Sequence, residues 1–164
     1  HKANILKALT GLFLETALEV GKEYEDRLEI EDRIVDNTAM QLVTNPGQFD
    51  MILTTNMFGD ILSDEIAGLV GGLGLAPGGN IGEDAAIFEA VHGTAPDIAG
   101  KGIANPTALL LAAAMMLDHI EEQNMGNQLR NAIKECLRTK ETRTGDLGGT
   151  ASTREYTAAV ISHL

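Results

Sequence analysis

Residues Asn56–Gly74 read NMFGDILSDEIAGLVGGLG. Asn56–Gly59 has the composition of a turn, and the pattern that follows predicts a helix over Asp60–Val70. Glycine then takes over. Gly71, Gly72, Gly74, Gly78, Gly79 and Gly82 surround Pro77, which marks irregular backbone that needs positive φ or a close approach to something. Beyond them, Ala86–Ala90 predicts a short buried strand, and a second loop runs from His92 to Ala104. Upstream, Phe49–Thr54 is a short β-type run. Asp36 opens a helix over Asn37–Val43, which Asn45-Pro46-Gly47 stops. Helices alternating with short buried strands indicate a layered α/β architecture.

The same reading extends to both ends of the chain. From Asn4 to Tyr24, Ile5, Leu6, Leu9, Leu12, Phe13, Ala17, Leu18 and Val20 recur at steps of three and four, which predicts a helix with one buried face. The acid-rich stretch Glu23–Asp32 reads as solvated surface around a short strand at Leu28–Ile30. Pro106 fits a helix's first turn, and Ala108–Ile120 is apolar nearly all round, hence a core helix. Gln123–Thr139 reads as an amphipathic helix and Thr144–Thr150 as a second glycine-rich turn. Ser152-Thr153-Arg154-Glu155 has the Ser-x-x-Glu form of a capping box and opens a last helix to His163.

Composition narrows the chemistry. The chain has 164 residues, 44% of them hydrophobic, and a net charge of -12. It is too apolar to be disordered. Such acidity argues against nucleic acid or an anionic membrane as partner, because phosphate backbones require Lys and Arg; a metal cation fits better. The single cysteine, Cys136, cannot form an internal disulfide and reads as a small buried apolar residue, so a reducing cytoplasm, or a mitochondrial matrix, is the expected compartment. The longest apolar run, Ala108–Leu117, is half the roughly 20 residues of a membrane-spanning helix. A start at His1 without initiator Met or signal peptide raises the expectation of a piece of something longer.

Asp60 and Asp64 lie four apart on a helix, so their carboxylates project from one face. Two such oxygens, with substrate and water, suit magnesium or manganese. Acids near a helix N-terminus also simply complement its dipole, and Asp36 at another helix start has that same plain reading. Lys2 beside His1 reads either as an exposed terminal lysine or as a proton donor near a metal and a carbonyl. Gly72-Leu73-Gly74-Leu75-Ala76-Pro77 fails the dinucleotide fingerprint, since Pro77 replaces the third glycine and a helix precedes it. The loop His92-Gly93-Thr94-Ala95-Pro96-Asp97-Ile98-Ala99-Gly100 offers an imidazole, free amides and an acid. Asp97 could accept hydrogen bonds from ribose hydroxyls and would repel a 2′-phosphate; a plain surface loop is the other reading.

Taken together, HKANILK (His1–Lys7), NMFGDILSDEIAGLVGGLG (Asn56–Gly74), APGGNIG (Ala76–Gly82) and FEAVHGTAPDIAGKGIANP (Phe88–Pro106) closely resemble the C-terminal half of the metal-dependent β-decarboxylating dehydrogenases, which act on isocitrate, homoisocitrate or 3-isopropylmalate. The resemblance implies a layered α/β/α fold of the isopropylmalate dehydrogenase type, present in part. Residues 1–70 would belong to a small, dimer-forming domain and 71–164 to a large cofactor-binding domain. Lys2 matches the lysine that protonates the enol after decarboxylation. Asp36 matches a catalytic and metal-binding aspartate given across a homodimer, as Lys2 is, and Asp60 and Asp64 match the metal aspartates of the home subunit. Asn4 matches an asparagine near substrate and nicotinamide. Asn80, His92, Gly93, Thr94, Ala95, Asp97, Ile98 and Asn105 match the cofactor site, with His92 against the adenine and Asn105 bonded to it.

The resemblance also bears on specificity. Members that use NADP carry Lys and Tyr where this chain has Asp97 and Ile98, and Tyr and Arg where it has Gly145–Gly149, so NAD is expected. The His-Lys-Ala-Asn start and Phe-Glu-Ala-Val-His-Gly-Thr look closer to isocitrate enzymes, with homoisocitrate and 3-isopropylmalate as alternatives. The residues that discriminate among these substrates lie outside the chain. A module that only dimerises or binds nucleotide is the remaining alternative, and turnover is not expected of these 164 residues by themselves.

Overall fold

A computed structural model describes residues 1–164. The chain divides into two separately packed units, His1–Leu69 and Val70–Leu164.

In the first unit a tight turn, with Ile5 N–H and Leu6 N–H both donating to the Lys2 carbonyl at 3.0 and 2.9 Å, precedes α1 (Leu9–Gly21). The helix therefore starts five residues later than its periodicity suggested. Ala8 at its N-cap has no side chain to hold the free amides, so nothing favours an earlier start. The apolar face is not buried as expected: Leu9 is 75% and Leu12 66% exposed, while the buried positions are Thr10 and Gly21. Ile30 crosses Gly21 so closely that a Cβ there would lie 2.9 Å from Ile30 Cδ1. Residues 28–30 and 49–54 are not strands. A strand exists only where a second one supplies a ladder, and no partner lies beside either stretch. Residues 33–35 are instead tied to the chain start. His1 donates its terminal ammonium to the Arg33 carbonyl at 3.1 Å, and its own carbonyl accepts Val35 N–H at 2.8 Å.

Helix α2 (Val35–Thr44) buries Thr38 and Leu42 and ends where Asn45 N–H caps the Gln41 carbonyl at 2.8 Å. Helix α3 spans Asn56–Val70 and buries Phe58, Leu62 and Ala67. The predicted turn at Asn56–Gly59 is thus its first turn.

The second unit opens on Gly71 and Gly72, whose φ of 127° and 112° no other residue adopts at ease. The sheet is a hairpin of β1 (Pro77–Ile81) and β2 (Ala86–Ala90), antiparallel, with Gly79 opposite Phe88. The glycine-rich stretch therefore supplies a strand. Its lack of side chains has a use, since a Cβ at Gly79 would sit 3.3 Å from Met115 Cε and 3.4 Å from the Phe88 ring. β2 is half-buried, with Ile87 and Glu89 exposed and Phe88 turned inward. Helix α4 (Thr107–His119) packs on this hairpin and on α5 (Gln123–Arg138). It buries Thr107, Ala108, Ala112 and Ala114 but leaves Leu109 57% exposed, so it is a core helix on two sides only. Contact with α5 is very close: a Cβ on Gly126 would meet Asp118 Oδ1 at 2.5 Å and the Ala114 carbonyl at 3.1 Å. Helix α6 (Thr153–Ser162) closes the core, in which Ala132, Ile133, Cys136, Ala151, Tyr156 and Val160 pack together. Cys136 is buried there as expected, and its thiol is shifted up first by burial and then by Glu135.

The capping box forms as its sequence indicates. Ser152 Oγ accepts from Glu155 N–H at 3.2 Å, and Glu155 Oε2 accepts from Ser152 N–H at 2.8 Å.

Candidate functional site

Within the first unit, the side chain of Lys2 is four-fifths buried and donates from Nζ to Asp36 Oδ1 at 2.8 Å. Two residues from opposite ends of a 34-residue separation thus meet. Asp36 sits in the first turn of α2 with its carboxylate exposed. The Lys2 ammonium and its neighbouring backbone N–H groups hold its carboxyl below the usual range.

Asp60 and Asp64 lie in the second and third turns of α3, not at its start, because the helix begins at Asn56. The dipole of a helix N-terminus therefore does not account for them. Both are exposed and share one helix face with Met57 and Ile61, and neither carboxylate has a basic side chain or hydrogen-bond donor against it. A pair of free hard oxygens one turn apart fits a divalent ion. No three metal-ligating side chains converge in the chain, so Asp36 does not join Asp60 and Asp64 within it. Asn4 is exposed in the turn that precedes α1.

The second unit carries the loop that follows β2. His92 is exposed, with Nδ1 2.9 Å from the Gly93 carbonyl. A carbonyl only accepts, so Nδ1 is the donor in this contact. Gly93 and Thr94 are exposed, and a Cβ on Gly93 would meet nothing within 4 Å. Ala95 stands at φ 41°, a left-handed backbone unusual for a residue with a Cβ; such strain collects where a loop is held for a purpose. Pro96–Ile98 forms a 3₁₀ turn that presents Asp97 to solvent with no cation beside it. Ile98 is half-buried. Asn80 lies on the exposed side of the hairpin, where Nδ2 donates to Glu89 Oε1 at 3.1 Å.

Asn105 is the buried member of the set. It is only 8% exposed, and its side chain is engaged inside the chain. Oδ1 accepts from Thr107 N–H at 3.0 Å and from Thr107 Oγ1 at 2.6 Å, and Nδ2 donates to Asp146 Oδ2 at 2.9 Å. One amide hydrogen and the backbone N–H and C=O of Asn105 have no partner in the chain. An N–H beside a C=O matches the paired acceptor and donor on an adenine edge. Sequence reasoning missed Thr107, Asp146 and Tyr156. Tyr156 is fully buried with its hydroxyl 2.8 Å from Thr107 Oγ1. Burial, foremost, raises the Tyr156 phenol above its ordinary range, so it stays protonated. The spacing of these residues along the chain carries no signal; only Thr107, just inside a helix after Asn-Pro, invites attention.

A model described as isocitrate/isopropylmalate dehydrogenase matches residues 1–160. The chain belongs to this family. Isocitrate/homoisocitrate dehydrogenase of Thermus thermophilus is 57% identical over all 164 residues, which cover 48% of that protein. A mitochondrial protein of Arabidopsis thaliana, isocitrate dehydrogenase [NAD] catalytic subunit 5, is 50% identical across 100% of the chain and 44% of its own length. Among solved structures, isocitrate dehydrogenase from Methylococcus capsulatus superposes with a TM-score of 0.96 at 53% identity, over 99% of this chain and 48% of that one. The α/β fold of these dehydrogenases is therefore the fold of this chain, and the chain spans about half the length of the curated relatives it matches. No helix is long and apolar enough to cross a membrane.

Proposed function

We propose that this dehydrogenase chain is about half of an enzyme that oxidatively decarboxylates isocitrate to 2-oxoglutarate and carbon dioxide with NAD and Mg²⁺ or Mn²⁺. The observation that carries the proposal is the pair of unpartnered, exposed carboxylates Asp60 and Asp64 on one face of α3, in the unit where Lys2 is bonded to Asp36. Asp60 and Asp64, joined by Asp36 of a second copy in a homodimer, would hold the divalent ion. A divalent ion held there would supply Lewis-acid polarisation of the substrate's oxygens, and NAD would be the hydride acceptor.

Each residue then has its own task. Lys2 carries a proton on Nζ for the enol carbon left when carbon dioxide departs, and Asp36, bonded to Nζ at 2.8 Å, keeps that group aimed. Asn4 lies two residues from Lys2 and would face substrate and nicotinamide. Asp97, exposed and without a cation, accepts from the ribose hydroxyls and repels a 2′-phosphate, which favours NAD over NADP. His92 and the loop Gly93–Ile98 border the adenosine, the free backbone edge of Asn105 bonds the adenine, and Asn80 lies beside them on the hairpin. A reducing compartment, cytoplasmic or mitochondrial, suits the single buried thiol.

A second substrate has a specific observation behind it: the Thermus thermophilus relative is named for both isocitrate and homoisocitrate. The test is steady-state kinetics of the longer polypeptide that carries this chain, with isocitrate, homoisocitrate and 3-isopropylmalate, each with NAD and NADP. The highest kcat/KM is expected for isocitrate with NAD and only when Mg²⁺ or Mn²⁺ is supplied. A higher value with homoisocitrate replaces the substrate assignment, and a higher one with NADP overturns the reading of Asp97.

A further inference from the structure

The polar chain beneath the loop has only one possible direction. Asn105 Oδ1 only accepts and faces two donors from Thr107, so the single Thr107 hydroxyl proton points to it. Tyr156 must then donate its own proton to Thr107 Oγ1 across their 2.8 Å contact. On the other side Asp146 only accepts, taking Asn105 Nδ2–H on Oδ2 at 2.9 Å and Thr144 Oγ1–H on Oδ1 at 2.5 Å. The series of donors Tyr156, Thr107 and Asn105, ending on the acceptor Asp146, admits no reversed arrangement, and the Asn105 amide cannot turn over. Thr107, Thr144 and Tyr156 are fully buried, whereas Asp146 stands at the solvent edge. Gly74 lies over the Asn105–Asp146 bond; a Cβ there would come within 3.3 Å of Asp146 Oδ2 and 3.2 Å of Asn105 Cβ.

We propose that Asp146 is a positioning residue that, opposite Thr107 and Tyr156, clamps the Asn105 amide and so sets the backbone edge that reads the adenine of the dinucleotide. The proposal rests on the reading of residues 92–105 as the dinucleotide loop. Without Asp146 the amide is held by Thr107 alone, and the Asn105 backbone is held from one side only. Affinity for the adenosine half of the cofactor falls while the acid–base chemistry elsewhere is untouched.

The test is calorimetric titration of ADP-ribose into the chain and into Asp146→Ala, Asp146→Asn and Thr107→Val, with thermal melts and ¹⁵N–¹H spectra of each. Asp146→Ala is expected to weaken ADP-ribose about tenfold, the worth of one well-placed hydrogen bond, with spectral dispersion retained and faster exchange of the Asn105 side-chain amide. Asp146→Asn keeps an oxygen for Nδ2–H and should recover most of the affinity. In the longer enzyme the same loss should appear in KM for NAD and not in kcat. Parent-like binding by Asp146→Ala overturns the clamp and leaves the loop's assignment standing. A loss in Asp146→Asn as large as in Asp146→Ala also overturns it, since the charge would then be acting on the ligand directly. No ADP-ribose binding by the parent at millimolar concentration overturns the loop assignment and the clamp together. Should Asp146→Ala fail to fold, Asp146→Asn and Thr107→Val decide: retained affinity in the first with a loss in the second supports the clamp, and any other pattern overturns it.

Discussion

Lys2 Nζ donates to Asp36 Oδ1 at 2.8 Å, so the residue proposed to carry the proton and a residue proposed to reach a metal are held by one bond. Replacing Lys2 by Met should lower kcat of the complete enzyme by about 10²–10⁴-fold, the range for loss of a positioned general acid, and leave NAD affinity unchanged. Asp36→Asn keeps the shape and loses the charge. It should lower kcat and raise the Mg²⁺ concentration needed for half-maximal rate, whereas Lys2→Met should leave that concentration in place. Parallel rate and metal profiles in the two variants would refute the division of labour.

Asp97 is exposed with no neighbouring cation. Asp97→Lys should shift the ratio of kcat/KM for NAD over NADP toward NADP by at least about tenfold, or about 1.4 kcal/mol of discrimination. Kinetics with both dinucleotides at fixed substrate measure it. An unchanged ratio would remove Asp97 from the choice.

Gly126 and Gly149 leave no room for a side chain. A Cβ at Gly126 meets Asp118 Oδ1 at 2.5 Å, and one at Gly149 meets the Arg143 carbonyl at 2.0 Å. Gly149→Ala must displace backbone and should cost about 1–3 kcal/mol. Gly126→Ala should cost less, because the Asp118 side chain and its ion pair with Arg130 can shift. Thermal denaturation of the chain gives the order, and equal losses would contradict it.

The capping box makes α6 sensitive to acid. Hydrogen bonds from the Ser152 backbone and side chain hold the Glu155 carboxyl below its ordinary value of 4.5. A carboxyl lowered on folding adds stability above its unfolded value, and this is lost as pH falls from about 5 through the folded value. Melting temperature plotted against pH should therefore drop less steeply below pH 5 in Glu155→Gln than in the parent. Ser152→Ala should lower the melting temperature at neutral pH as well, since the helix loses its cap.

Local signals were legible where one or two neighbouring residues decide the outcome. Ser152 and Glu155 announce their reciprocal bonds, Asn45-Pro46-Gly47 stops α2, and the families of residues around Asp60 and His92 were recognisable from the sequence. What the sequence could not show depends on distant partners. Leu28–Ile30 and Phe49–Thr54 have strand composition but no strand beside them, and Leu9 and Leu12 have a helical period with nothing in their unit to cover them. Pro77–Ile81 looked irregular because glycine breaks most patterns, yet here it lets a strand lie under Met115. The Tyr156–Thr107 bond spans 49 residues and the Asn105–Asp146 bond 41, and no spacing rule reaches that far. The inward commitment of the Asn105 side chain to Thr107 and Asp146 is likewise invisible in the sequence.

The turn from Gly145 to Gly149 restricts the routes by which such a chain can change. Gly145 faces open space at ordinary φ, Gly148 has open space but a φ of 72°, and a Cβ on Gly149 would run into the Arg143 carbonyl. Mutational access across the turn is thus graded: free at the first position, strained at the fourth, closed at the fifth. A lineage or a library that seeks a basic residue here for a 2′-phosphate would find it by single steps at 145, while at 149 the backbone must first be rebuilt.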